Sequence, residues 1–290
     1  MKHVKFNKSL CGVDLLLNVL RIKYESSIVF SDDVYTTDFF QIVFIKEANG
    51  TLLLNDQTIT LEDNSIVFIT ENQRYQWDVD QEKFDATILV FQEDFLNDFF
   101  ADQYFTYRLL YFYQTDFPLY LNVSENIKND YLEKLKEIKT DLQHPKSDSV
   151  HLIRSILYYL LIQLNRLYSE QYNITSTISN DNLAYQFRKL VEQHIYEKQR
   201  IDDYTDILKV SRVTLNKTIS KHFNVTTTEF LKSRLAFEIK MKLLFTMSTI
   251  EELADIFHFS ESNHLSRFFK NQTGLTPKEY RLSYQNGSYS

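Results

Sequence analysis

Two short stretches near the C-terminus, residues 211–222 and 261–272, place amide, hydroxyl and cationic side chains on one face of a predicted helix. At about 100° per residue the opposite face is apolar, with Leu215 in the first stretch and Leu265 in the second. The outer faces consist of Val213, Asn216, Lys217, Ser220 and Lys221, and of Asn263, Ser266, Arg267, Lys270 and Asn271. Such small, polar and cationic faces fit a major groove about 12 Å wide and offer donors to base edges and phosphates.

Three of these side chains have the chemistry to read individual bases. Arg267 is the best candidate for a bidentate contact to guanine, and Asn216 and Asn263 could read adenine. The alternative is that both stretches are solvated faces of ordinary surface helices, because a surface helix normally turns its polar face to water. A second observation has to decide between these interpretations.

That second observation is an internal repeat. The segment ILKVSRVTLNKTISKHFNVTTTEF, from residue 207, resembles IFHFSESNHLSRFFKNQTGLTPKEY, from residue 256. Leu215 pairs with Leu265 and Lys217 with Arg267, and the second copy has one extra residue before its helix. A supersecondary unit that is used twice is a stronger signal than either copy alone. The repeat favours a duplicated helix-turn-helix with matched outer faces.

Residues 182–283 resemble the DNA-binding domain of the AraC/XylS family of bacterial transcription regulators. The stretch FSESNHLSRFFKNQTGLTPKEYR matches that family's signature almost throughout, and Ile250 with Leu253-Ala254 matches the helix before it. The resemblance implies two helix-turn-helix subdomains joined by a long helix, at about 227–246. Their recognition helices would enter successive major grooves, so a monomer would read two short blocks roughly 34 Å apart.

The resemblance also assigns roles by motif position. Base reading carries over to Val213, Asn216, Lys217, Ser262, Asn263, Ser266 and Arg267. A residue at a helix start, such as Arg212, would contact phosphate. The family often has Gly where Lys209, Asn224 and His258 stand here, and Lys209 is the least suited of the three to a positive φ. The first recognition helix therefore departs further from the family's pattern than the second.

The chain around these motifs predicts an α+β multidomain protein. Residues 13–92 read as short strands, which indicates a small antiparallel sandwich or barrel. A helical pair follows at about 125–143 and 149–170, and the polar stretch NITSTISND is a candidate linker. We expect an effector and dimerisation domain over 1–172, a linker over 173–181 and an all-α domain over 182–290.

The distribution of charge along the chain agrees with different functions for the two domains. The net charge is −7, but residues 181–290 carry 16 Lys and Arg against 13 Asp and Glu, whereas the first 180 residues carry 16 against 26. An acidic chain with a basic C-terminal part is compatible with nucleic-acid binding, since the local field decides it. The single cysteine, the poor signal-peptide pattern and the lack of a long apolar run predict a cytoplasmic protein without a membrane span.

The front part resembles the cupin-like domain that precedes the DNA-binding module in many family members. This rests on the order of elements and on GTLLLNDQTITLEDNSIVFIT, and implies a cupin-like antiparallel β-barrel. Residues 4–143 contain no His, and no nucleophile motif or phosphate loop is visible, so we expect no metal, no cofactor and no enzymatic activity. The aromatic residues of the predicted strands either form the core or line an apolar pocket for a small effector. They are Phe39, Phe40, Phe44, Phe68, Tyr75, Trp77 and Phe84.

The second predicted helix of the pair has an a/d heptad seam. Ile153, Leu157, Leu160 and Leu164 follow steps of three and four and either pack on helix 125–143 or form a homodimer. In the family a comparable helix pair makes the homodimer, so we expect dimerisation there. The expected partners are double-stranded DNA, a small-molecule effector, a second copy of the chain and RNA polymerase. The competing hypotheses are a small-molecule-binding cupin-like protein whose helical module binds a protein, and a metal-free cupin enzyme.

Overall fold

The computed structural model describes residues 2–6, 15–23, 33–55, 57–97, 105–106, 109–113, 117–174 and 183–287. The chain divides into two compact units, Met1–Ile178 and Ser179–Ser290. Most of the predicted linker 173–181 lies outside the described residues. No helix in the described part of the chain is long and apolar enough to cross a membrane.

The N-terminal unit has ten short strands in the residues that the structure describes. They are β1 (Lys2–Val4), β2 (Leu17–Lys23), β3 (Tyr35–Thr37), β4 (Phe40–Glu47), β5 (Gly50–Leu54), β6 (Gln57–Thr60), β7 (Ser65–Ile69), β8 (Tyr75–Val79), β9 (Asp85–Phe91) and β10 (Tyr120–Asn122). One sheet has the order β1-β3-β8-β5-β6 and the other β10-β7-β4-β9-β2. All pairs of these strands are antiparallel except β1 with β3.

The predicted β-barrel is corrected to two separate sheets. Among the described strands, β6 pairs only with β5, and β10 pairs only with β7, so hydrogen bonds do not close the structure into a barrel. The antiparallel, β-rich character of this unit is as predicted. Its α+β class holds as well, because the described residues after β9 include the helices α1 (Glu93–Asn97), α2 (Leu110–Tyr113), α3 (Glu125–Gln143) and α4 (Ser149–Gln171).

The aromatic side chains of the strands form a packed core. Phe68 of β7 stacks on Tyr111 of α2 with ring centroids 4.2 Å apart, and Phe44 of β4 meets Tyr131 of α3 at 5.8 Å. Six of the seven aromatic residues that the sequence left open are at most 8% exposed, Phe39 being the exception. These contacts favour the core interpretation over an open aromatic pocket.

The heptad seam of α4 is part of this core. Ile153, Leu157, Leu160 and Leu164 are between 0% and 1% exposed and belong to the cluster that also contains Leu135 of α3. A side chain that is already buried within its own chain has no exposed surface left to bury against a second subunit. The prediction that these four residues form a dimer interface is therefore revised, because their seam is filled within the chain. The pairing with helix 125–143 is the alternative that the structure supports.

The C-terminal unit is helical throughout its described residues. Its elements are α5 (Leu183–His194), α6 (Ile201–Leu208), α7 (Arg212–Phe223), α8 (Thr227–Phe245), α9 (Ile250–Ile256), α10 (Ser262–Thr273) and α11 (Pro277–Gly287). Helix α8 contacts both α7 and α10, and one apolar core runs through the unit. The two helix-turn-helix pairs are α6 with α7 and α9 with α10, as the repeat predicts.

The turns of both helix-turn-helix pairs contain one residue in the left-handed backbone conformation. Lys209 and His258 have φ of 53° and 54°, in the left-handed region. After the first turn the N–H of Val210 donates to the carbonyl of Thr205, and after the second that of Phe259 donates to Ala254. The recognition helices also end alike, on Asn224 with φ 58° and Gly274 with φ 83°. The places where this chain lacks the family's glycine are therefore left-handed positions, and Lys209 holds one with a long side chain.

Candidate nucleic-acid interface

Helix α7 is fixed at both ends and along one face. The Ser211 hydroxyl accepts from the N–H of Thr214 at the start of the helix, and Asn224 ends it. Leu215 and Ile219 are fully buried in the core of the unit. A helix held in this way turns its remaining face outward, and Val213 on that face is 79% exposed.

Helix α10 is held in the same manner. Leu265 and Phe269 are fully buried, and the Phe269 ring packs edge-on against Tyr280 of α11 at 5.4 Å. At its start, the Ser260 hydroxyl lies 2.7 Å from Nδ1 of the exposed His264. Sequence reasoning did not single out His264, although the repeat places it opposite Thr214, another exposed position of a recognition helix.

The structure separates the ten predicted DNA-binding residues into two groups. Seven are exposed: Arg212, Val213, Lys217, Lys221, Asn263, Arg267 and Lys270. Three are half-buried: Asn216, Ser262 and Ser266.

The centre of each outer face is a row of three positions. The α7 row consists of Val213, Lys217 and the half-buried Ser220, and the α10 row consists of Asn263, Arg267 and Lys270. The two rows match position by position in the repeat, and the α10 row is the more cationic.

Asn216 is tied into the fold. Its Oδ1 accepts the backbone N–H of Thr227, the first residue of α8, at 2.9 Å. A bidentate contact to adenine needs that oxygen to accept from the base's amino group. The structure therefore disagrees with adenine reading by Asn216, whose amide instead satisfies an otherwise unpaired donor at a helix start.

In the second copy of the repeat, the first residue of the following helix has no backbone N–H that needs an acceptor. Pro277 occupies the position of Thr227 and has no backbone N–H. Ser266, which the repeat pairs with Asn216, is therefore not needed to satisfy that position. This difference follows from one proline and makes the two recognition helices chemically unequal.

Arg212 is also engaged within the protein. Its guanidinium forms a two-pronged salt bridge with both carboxylate oxygens of Asp202 on α6. The hydrogen bond to Asp202 raises the pKa of Arg212 above its already high ordinary value, so the side chain stays charged. The predicted phosphate contact would have to compete with Asp202. In the second copy Ser262 stands at the matching position, where no such pair can form.

We expect Asp202→Asn to strengthen DNA binding about two- to fivefold, because it frees Arg212 for a phosphate and removes a negative charge near the interface. The slope of log affinity against log salt should steepen by about 0.9, the value for one added phosphate contact. The measurement is a fluorescence-anisotropy titration with duplex DNA at several salt concentrations. Asp206→Asn, an exposed acid on the same helix, is the matched control. An equal gain for both variants would contradict a specific role for Asp202.

A buried ionic network joins α5 to α8. Arg234 of α8 donates through Nε to Glu192 of α5 at 2.8 Å and also pairs with Glu238. Arg188 of α5 lies 3.6 Å from Glu192, and the Tyr196 hydroxyl donates to Glu238 at 2.6 Å. Burial, and secondly this hydrogen bond, raise the pKa of Tyr196, so it remains a donor. Because α8 contacts both recognition helices, the network helps to fix the helix that positions them.

Among the described residues, no group of three or more His, Cys, Asp or Glu side chains is arranged to hold a metal ion.

Comparison with known proteins identifies the helical unit. Residues 204–283 match the family described as a helix-turn-helix domain. The transcriptional activator RhaS of Shigella dysenteriae is 20% identical over 249 residues, which cover 84% of this chain and 85% of that relative. An uncharacterized HTH-type transcriptional regulator of Staphylococcus aureus is 22% identical over 91% of this chain, which spans only 33% of that longer protein.

Two solved structures illustrate the range of similar proteins. ToxT of Vibrio cholerae O395 is 15% identical, with a TM-score of 0.40 over 92% of this chain and 96% of that chain. The DNA-binding domain of AdpA, in complex with a target DNA, is 20% identical, with a TM-score of 0.34 over 37% of this chain and 96% of that chain. The C-terminal unit carries a helix-turn-helix domain of the AraC type, as the sequence predicts.

Proposed function

We propose that this chain is a sequence-specific DNA-binding transcription regulator that reads two successive major grooves with α7 and α10. The observation that carries the proposal is the duplicated helix-turn-helix, in which each recognition helix buries one face and turns a matched row of side chains outward. The matches to transcription regulators support the same class. Such a protein changes the access of RNA polymerase to a promoter, acts in the cytoplasm and needs no catalytic site.

The α10 row is the stronger reader in this proposal. Arg267 offers two parallel donors to O6 and N7 of guanine, and Asn263 offers an amide to adenine. Lys270, one turn further along the helix, suits a phosphate. On α7, Lys217 and Lys221 contribute positive charge, and the apolar Val213 begins the row. Both blocks contribute to affinity, and the α10 block contributes more to specificity.

The N-terminal unit is proposed to sense a small molecule and to form a homodimer. The apolar surface that α4 still exposes is on Leu152, Tyr158 and Tyr159, at 48%, 40% and 54%. A groove between α3 and α4 adjoins Tyr159, with a volume of about 450 Å³. An effector that favours one state of this unit would shift how two DNA-binding units are presented.

Sedimentation of the full chain at two concentrations tests the dimer. Wild type should sediment as a dimer, and Leu152→Asp with Tyr159→Asp should shift it to a monomer, because charge on a buried apolar contact is costly. Leu53→Asp, a change of a 37% exposed side chain on β5, is the matched control. A wild-type monomer at all concentrations, or a dimer that survives the double substitution, would contradict this interface.

The DNA-binding proposal is tested by selection of the full chain against a random duplex pool, repeated at two salt concentrations. We expect enrichment of sites with two short blocks about one turn, or 10–10.5 base pairs, apart. Enrichment of one block would make one helix a backbone clamp and contradict two-groove reading. Binding to all duplexes alike, with uniform loss in salt, would indicate nonspecific electrostatics and favour a protein partner for the helical unit.

A further inference from the structure

The outer face of α7 presents an apolar side chain. Val213 is 79% exposed, and the matching position on α10 is the amide Asn263. Valine is a poor choice for a helix surface, since its branched side chain loses rotamer freedom there and gains nothing from water. Helix stability therefore does not account for this residue, whereas a partner that buries it would.

The neighbouring side chains narrow what that partner can be. The Oδ1 of Asn216 already accepts from Thr227, and Arg212 is already paired with Asp202. The exposed charged group of the α7 row is Lys217, one turn along the helix from Val213. Val213 is an apolar group next to the cation Lys217. On a helix of DNA-reading type, this pair fits a surface that has a small apolar group beside hydrogen-bond acceptors.

In the major groove, that combination is thymine. Its 5-methyl group is the apolar feature among the base edges, and aliphatic side chains contact it. We propose that Val213 reads a thymine methyl group in the block bound by α7, while Lys217 contacts the adjoining base or phosphate. The α10 block is read differently, through the donors of Asn263 and Arg267. The preferred site is thus asymmetric, with a methyl-dependent block and a block read by hydrogen bonds.

This inference rests on the proposed DNA-binding function and can fail separately from it. The full chain is titrated with its selected duplex, in which each thymidine is replaced in turn by deoxyuridine, which lacks only the methyl group. One position in the α7 block should lose about fourfold in affinity, the value for burial of one methyl-sized group. The α7 block is recognised as the one whose base preference is unchanged in Arg267→Ala.

A double-mutant cycle assigns the methyl contact to Val213. In Val213→Ala the same deoxyuridine should cost less than about 1.5-fold, because the side chain that met the methyl group has been cut back. Leu282→Ala, a change of a 46% exposed apolar side chain on α11, should keep the full fourfold loss. Thermal melting by circular dichroism confirms that both variants are folded.

The outcomes separate the two claims. Absence of sequence-specific binding by the wild-type chain would reject the proposed function itself. Specific binding with no deoxyuridine effect in the α7 block would overturn the thymine inference and leave the function standing. A fourfold effect that persists in Val213→Ala would also overturn it, since another side chain would then be reading the methyl group.

Discussion

Arg234→Met is expected to lower the free energy of unfolding of the C-terminal unit by about 3–5 kcal/mol. The Arg234 side chain is 11% exposed and pairs with Glu192, whose side chain is 3% exposed, and with Glu238. Methionine fills much of the same volume but leaves both carboxylates short of their main cation. Removing one partner from a buried ionic network is costly, because Glu192 and Glu238 then stay buried with less compensation, from Arg188 beside Glu192 and from the Tyr196 hydroxyl on Glu238.

The protein contains its own reference for this measurement. Its single tryptophan, Trp77, lies in the N-terminal unit, so tryptophan fluorescence follows that unit in urea. Helical circular dichroism follows both units. In Arg234→Met a part of the helical signal should be lost at lower urea, while the Trp77 transition stays unchanged. Lys232→Met, at an exposed position of the same helix, should change stability by less than about 0.5 kcal/mol. Similar behaviour of the two variants would contradict a structural role for the network.

Arg267→Ala is expected to weaken binding to the selected duplex by about 5- to 150-fold, which corresponds to the 1–3 kcal/mol of one bidentate base contact. The base preference should relax at a single guanine of the α10 block, because the two donors that recognise O6 and N7 are removed. Binding titrations against duplexes with each base at that position measure both effects.

Two further variants separate base reading from charge. Arg267→Lys keeps the charge but not the planar pair of donors, so it should lose discrimination while the salt slope stays unchanged. Lys278→Ala, at an exposed cation of α11, should leave base preference intact. If Arg267→Ala weakened binding to every sequence equally and reduced the salt slope by about one, Arg267 would be a phosphate contact.

Local pattern was sufficient to predict the long helical pair and the two recognition helices. The helical pair, expected at 125–143 and 149–170, spans Glu125–Gln143 and Ser149–Gln171. The repeat placed α7 and α10, and the glycine positions of the family marked three left-handed residues. These features depend on side chains a few residues apart, which a sequence displays directly.

Contacts between distant segments were not predictable in this way. Strand β10 pairs with β7, more than fifty residues earlier, and lies beyond the region in which strands were expected. The heptad seam of α4 has the same pattern whether it faces its own core or a second subunit, because both require buried leucine and isoleucine. Only the packing around Leu157 and Leu160 distinguishes them.

The same limit applies within the site. The sequence shows that Asn216 is on the outer face, but its bond to Thr227 depends on the turn that brings α8 back to α7. The pairing of Arg212 with Asp202 likewise joins two helices of one motif. Residue type and spacing identified the outer face of each recognition helix, and tertiary contacts decide which of its side chains are free of partners within the fold that would compete with the proposed DNA contacts.

The most direct test of two-groove reading changes the distance between the two blocks of the selected duplex. Insertion of about five base pairs, half a helical turn, moves the second block to the opposite side of the duplex, out of reach of the rigidly spaced recognition helices. We expect affinity to fall to that of a duplex with one block, because the two helices can then no longer bind their blocks at the same time. Unchanged affinity after the insertion would contradict simultaneous reading by α7 and α10.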